Sequence, residues 1–392
     1  MSLCRSSSAF LLLAFTACPP LPQKNDDGGT PPDDGGSMQT NAGTPRRVIY
    51  QLTVRTFGNT NDTRQRDGTR ETNGVGKFND INDAALSSLT SLGITDVWLT
   101  GVLRQSTLTD YASTDPRLAA DDPDIVKGRA GSYYAVRDYF DVSPDYAVEP
   151  ANRMNEFEAL ITRIHAHGLK VHIDLVSNHV GRSHASVVAP EHEFGTGDDT
   201  TQVFAAKNDF FYVPNPQGSP LTLEKPAHWN PSGAIFDHHF AREDGSCDGG
   251  HCNAPRVTGE SDITLNPSAN SWYETVKLNY GFDFRSGNLE DDATDYSAIP
   301  SVWPKMDAVI AHWQSKGVDG FRCDFAHIVP SAAWKYLIGR AKGRKAQTWF
   351  FAEAYASPRR FEQLFEAGFD ANLLRRRVRH VEARVPRQSR PR

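Results

Sequence analysis

Acidic and basic residues stand at the ends of three short apolar runs. In GFRCD (320–324), Arg322 and Asp324 are two residues apart, and His327 follows. In HIDLVSNHV (172–180), Asp174 lies within the run, with Asn178 and His179 just past it. FFAEAY (350–355) carries Glu353. Each run has the length and the β-branched or aromatic character of a buried strand. Residues i and i+2 of a strand share a face, so Arg322 and Asp324 point one way and Cys323 the other. One Arg–Asp pair would be ordinary packing. Three successive strands that each end in an acid are not, because a buried carboxylate is costly without a partner or a task.

Two carboxylates, one ionised and one protonated, can cleave a glycosidic bond. Arg322 beside Asp324 is expected to depress the aspartate and keep it a nucleophile. Glu353, among Phe350, Phe351 and Tyr355, is expected to be raised, as a general acid requires. Sequence spacing leaves retaining and inverting chemistry open, since the choice between them rests on a distance.

The elements that must position these groups alternate. Strands are predicted at 48–54, 95–101, 169–176, 318–324 and 348–354, and helices at 81–93, 152–168, 303–317 and 331–343, several of them stopped by glycine. Near-continuous apolar strands between helices imply a parallel sheet covered by helices. A doubly wound sheet and a (β/α)8 barrel both fit. In either, ligands gather at the carboxyl edge of the strands, where these residues lie. Residues 180–300, rich in His, Asp, Gly, Pro and aromatics, form a long insertion after the third strand.

DLVSNH, GFRCD and the strand-final Glu353, in this order on successive strands, resemble the α-amylase family (glycoside hydrolase family 13) over about residues 47–372. The resemblance implies an α/β fold, a (β/α)8 TIM-type barrel with a small domain inserted after the third strand. It implies retaining, double-displacement cleavage of α-glucosidic bonds in starch-like α-glucans. By position, Asp324 resembles the nucleophile, Arg322 its partner and Glu353 the acid/base. Asp174 and His179 resemble residues lining the cleaved subsite, with bracing of Arg322 as the plainer reading. In GSYYAVRDYFDV, Tyr134 resembles the tyrosine that stacks on the sugar, with Tyr133 as the alternative. Asn178 occupies the position of a structural calcium ligand in many members, and a turn residue would look the same. His327 stands where a Lys-His pair is commoner and is a candidate sugar contact. WYETVKLNYGFDF (272–284) also resembles a family stretch and is read as structural. The chemistry itself requires no cofactor. Alternatives are a non-catalytic α-glucan-binding protein and an α-1,6-acting or transglycosylating member of the family.

The pattern breaks late in the chain. The family's third carboxylate, in an Asn-His-Asp-like segment after the seventh strand, is not found, and GFD (368–370) resembles only the start of a sixth strand. From 375 onward there are eight Arg, one Glu and no Lys, a formal +7 against −6 for the whole chain of 392 residues. A frameshift near codon 372 would explain this change, as would a real basic tail or a barrel completed by another chain. The expectation is a barrel of five to six strands, truncated at the C-terminus, that folds poorly and hydrolyses little.

At the other end, Arg5 and the apolar AFLLLAFTAC resemble a signal peptide. Cys18 ends it as a candidate lipidation site of a bacterial lipoprotein, with Phe15 where that motif usually has Leu; a plain secretory signal is the alternative. The expected divisions are 1–18 signal, 19–46 disordered tether, 47–179 with 301–372 barrel, 180–300 inserted domain, and 373–392 basic tail. Of five cysteines, Cys247 and Cys252 lie in one Gly/Asp loop and suit a disulfide, which export permits. The expected partners are an α-glucan and, through the lipid anchor only, a membrane. Nucleic acid is not expected, and the chain is read as a monomer.

Overall fold

The computed structural model describes residues 12–14, 46–215, 218–223, 237–248 and 251–373. Cys18, the tether before residue 46 and the basic segment from 374 lie outside the described residues. Six strands run side by side in chain order: β1 (Val48–Thr53), β2 (Asp96–Thr100), β3 (Lys170–Val176), β4 (Gly320–Asp324), β5 (Trp349–Glu353) and β6 (Ala371–Leu373). Every neighbouring pair among them is parallel. The connections carry α1 (Asp83–Ser91), α2 (Arg153–Ala166), α3 (Val302–Ser315), α4 (Ser331–Arg344) and α5 (Pro358–Glu366). The first five strands and first four helices fall within two residues of the bounds expected from periodicity.

Local chemistry sets the helix ends. Asn82 caps α1 by accepting from the Ala85 amide, and Ser357 caps α5 by accepting from Arg360, with Pro358 in the first turn. Helix α2 buries Phe157, Leu160, Ile161 and Ile164, a stripe at helical spacing.

The sheet is curled. The rings of Trp98 on β2 and Phe351 on β5 meet at 5.6 Å between centroids. Three steps across a flat sheet would hold those strands ~14 Å apart, at ~4.8 Å per step. Ile49, Trp98 and Phe351 therefore form a small core on the concave face. Alternate residues, among them Leu52, Leu99, Ile173, Phe321, Cys323 and Phe350, face the helices in the main core. This is the architecture of a (β/α)8 barrel over six of its strands.

Gly320 shows how tightly the concave face is filled. A Cβ there would lie 2.3 Å from the Trp349 carbonyl oxygen and 2.5 Å from His172 Nδ1. Gly320→Ala should thus cost about 1–3 kcal/mol in denaturant unfolding, through overpacking of a buried strand. Wild-type stability in this variant would mean that the close approach is not real.

Three features were not read from the sequence. After β2 the chain makes an excursion in which Leu103–Gln105 pairs with Val136–Val142 before α2 begins. Helix α5 was not expected. Leu12–Ala14, within the presumed leader, pairs antiparallel with Val48–Tyr50 at the β1 edge, although the N-terminus was expected to take no part in the fold. The physical reason is that the exposed edge of an apolar strand offers unpaired N–H and C=O groups that another apolar segment can satisfy. The long insertion is pinned near both ends by pairing of His179–Gly181 with Thr275–Lys277. A disulfide joins Cys247 to Cys252. No helix among the described residues is long and apolar enough to cross a membrane.

Candidate active site

The register of the sheet assembles the site. Arg322 on β4 lies directly opposite Asp174 on β3 and Phe351 on β5, so Asp324 and Glu353 rise from the same concave face one step further on. A single guanidinium collects three acids. Arg322 Nη1 donates to Asp174 Oδ1 at 3.1 Å and to Asp324 Oδ1 at 2.6 Å, and Nη2 reaches Glu353 Oε2 at 2.5 Å. The Trp98 and Tyr134 rings flank it, 5.2 and 5.5 Å from Cζ to the ring centroids. Arginine suits this place because its fixed fork of donors can serve several carboxylates at once.

The acids are not equivalent. Asp174 Oδ2 accepts from the Gly101 amide at 2.9 Å, and the side chain stands behind Arg322 rather than on the cavity wall. Asp324 has one oxygen on Arg322, and its Oδ2 has no partner. Glu353 presents Oε1 to the Tyr355 hydroxyl at 2.9 Å. The backbone then turns sharply: Phe325, next after Asp324, is left-handed at φ 44°. A non-glycine residue there stores local strain, which tends to collect at functional sites.

The electrostatics reverse one expectation. Arg322 was expected to pull Asp324 down. Instead burial pushes the Asp324 carboxyl up to about 7, with Glu353 and Asp174 adding to the rise against the pull of Arg322. Burial likewise raises Asp174. For the two buried aspartates, desolvation outweighs the one positive charge they share. His179 goes the other way: burial, with help from Lys277, lowers it to about 3, so the ring is neutral.

Asp324, Glu353, Arg322, His179 and Tyr134 all line one cavity of about 290 Å³. Tyr133 turns away and packs against Gly101. His327 does not reach this cavity; it lines a neighbouring one of about 490 Å³ together with Tyr355, Phe282 and Phe284. Sequence reasoning missed Trp272, Glu274 and Lys127, which also line this cavity. Trp272 packs against Phe325 and His179 at 4.9 and 5.3 Å between centroids, and Lys127 pairs with Glu274 at 3.0 Å. The stretch 272–284 was read as purely structural; it begins with this wall. An exposed-type aromatic next to acidic and polar residues in WYET was the available signal.

Asn178 does not offer a calcium site. Its Oδ1 accepts from the Lys277 ammonium at 2.8 Å, and its Nδ2 donates to the Gly259 carbonyl at 2.7 Å. A cation already sits where the metal's charge would, and among the described residues no group of three or more His, Cys, Asp or Glu side chains could hold a metal ion.

Residues 51–249 match the family profile described as the alpha amylase catalytic domain. An alpha-1,4-glucan:maltose-1-phosphate maltosyltransferase of Myxococcus xanthus is 35% identical over 72 residues, 18% of this chain and 11% of the relative. Maltase 1 of Drosophila virilis is 24% identical over 286 residues, 71% of this chain and 31% of the relative. The chain thus spans between about a tenth and a third of the length of these curated relatives. Among solved structures, the cyclic alpha-maltosyl-(1→6)-maltose hydrolase of Arthrobacter globiformis in complex with that sugar matches at a TM-score of 0.47 and 17% identity. That match covers 83% of this chain and 54% of that one. With half of its residues under the catalytic-domain profile, the chain belongs to the alpha-amylase family.

Proposed function

We propose that this chain cleaves α-glucosidic bonds of α-glucans or short α-glucosides by a retaining double displacement. The observation that carries the reading is that Asp324 and Glu353 are held on the two terminal nitrogens of one guanidinium. Both carboxylates are thereby turned toward one cavity, as the close-set acids of a retaining pair, ~5–5.5 Å apart, must be. In the first step Asp324 Oδ2, the oxygen without a partner, attacks the anomeric carbon. Glu353 gives its proton to the departing glycosidic oxygen. In the second step Glu353 takes a proton from water, or from a second sugar's hydroxyl, as that oxygen displaces Asp324. Water gives hydrolysis and a sugar gives transfer; the names of the relatives include both kinds of enzyme.

Arg322 holds both carboxylates in place, and His179 and Tyr134 bound the sugar in the cavity. Every step uses only protein carboxylates and the substrate, so no cofactor is needed. The test is a 2-deoxy-2-fluoro glucoside with a good leaving group, which slows the second step and traps the intermediate. Peptide mass mapping should find the fluoroglucosyl group on Asp324. Turnover of natural substrate without any trapped ester, accompanied by release of the inverted anomer, would replace this reading with single displacement.

A further inference from the structure

Lys277 is a buried ammonium, and among the described residues no acid pairs with it. Only 6% of the residue is exposed, and burial lowers its pKa to about 8. Its Nζ donates to Asn178 Oδ1 and lies 5.6 Å from the Phe284 ring centroid. Its backbone belongs to the strand that pins the insertion, in register with His179. We propose that Lys277 is a positioning residue that does, from within the chain, what a bound cation would otherwise do: it orients Asn178, and through it the proton on His179.

The chemistry leaves one arrangement. An ammonium only donates, so the Asn178 carbonyl must face Lys277. The amide nitrogen of Asn178 must then face the Gly259 carbonyl and His179 Nδ1, 2.7 and 3.1 Å away. Amide nitrogen donates, so His179 Nδ1 accepts and its proton resides on Nε2. The ring that carries it shares the cavity with Tyr134, the tyrosine that flanks Arg322. A one-sided donor at residue 277 thus sets the tautomer of a ring in the candidate active site, two groups away. The choice of Asn at 178 follows, since an amide accepts from lysine and still has two protons, one for the Gly259 carbonyl and one for histidine, where a hydroxyl has one.

The test is long-range ¹H–¹⁵N spectroscopy of the full chain with labelled histidine, with His179 assigned by a His179→Gln variant. His179 should be the Nε2–H tautomer, with signals and melting temperature unchanged by EDTA or by added Ca²⁺. A bound metal would stabilise the native state, so its removal would lower the melting temperature. Lys277→Met should free Asn178 to turn and shift the His179 ring signals toward a mixture of tautomers. Asn178→Asp provides the second variant. It gives Lys277 an ionic partner and keeps the pocket charged, but a carboxylate cannot donate, so His179 must turn a proton to Nδ1. Unchanged His179 signals in either folded variant overturn the proposal, as does a wild-type protein whose melting temperature falls in EDTA and returns with Ca²⁺.

Discussion

Asp324→Asn should abolish turnover and raise the melting temperature together. The loss should be at least about 10⁴-fold, the scale expected when the nucleophile of a covalent mechanism is removed. The gain follows from burial. The Asp324 carboxyl has an ordinary value of 3.8 and is pushed up to about 7 in the folded protein. An acid raised on folding favours the folded state in its protonated form. As pH climbs from about 4 to about 7, the unfolded chain releases this proton first, and the wild-type protein loses stability. Above about 7 the penalty is complete, on the order of 4 kcal/mol for a rise of this size. An asparagine carries no charge to bury, and its carbonyl can keep the contact with Arg322 Nη1. The variant should therefore melt higher than wild type at pH 8 and nearly alongside it at pH 4. Paired melting curves at the two pH values, with oligosaccharide assays, check both halves. A variant that loses activity but gains nothing at pH 8 would show that the fold does not strain to keep this acid ionised.

Arg322→Met should be the most destabilising change in the site. It leaves Asp174, Asp324 and Glu353 facing one another with no cation between them. Removing one partner of a buried ion pair typically costs about 3–5 kcal/mol, because the remaining charge is left uncompensated. Here one removal strands three acids, and Trp98 and Tyr134 also lose the guanidinium they flank. The loss should be greater at pH 8 than at pH 5, since protonation relieves the repulsion. Denaturant unfolding at both values provides the comparison. An equal loss at the two would assign the effect to lost packing alone. Arg322→Lys should fall between, because one ammonium cannot present a planar fork to separate carboxylates.

The strands and helices were legible because their periods are strong and their stops are chemical: glycine after α1 and α2, apolar runs for β1 to β5. The grouping of Arg322, Asp324 and Glu353 was legible for the same reason, since alternation alone places i and i+2 on one face. What was not legible depended on burial or on chain brought from far away. The direction of the Asp324 shift is a balance between desolvation and Arg322, and a sequence shows the arginine but not the depth. Trp272 and Lys127 reach the cavity from segments whose paths follow no period. Lys277 looked like one charged residue within a strand of the insertion; only the fold puts its ammonium on Asn178, 99 positions earlier.

The reacting groups and the walls of the cavity have different origins. Asp324, Arg322 and Glu353 belong to strands whose register is locked by the ladder on either side. Trp272, Glu274 and Lys127 belong to the two excursions that follow β2 and β3. Under the proposed function, a longer or exchanged excursion would change which sugar the cavity admits and leave the strand-borne carboxylates and Arg322 in place. The border between the two regimes falls where β2 and β3 end: the strands are held to one geometry by their neighbours, and the excursions that leave their ends are not.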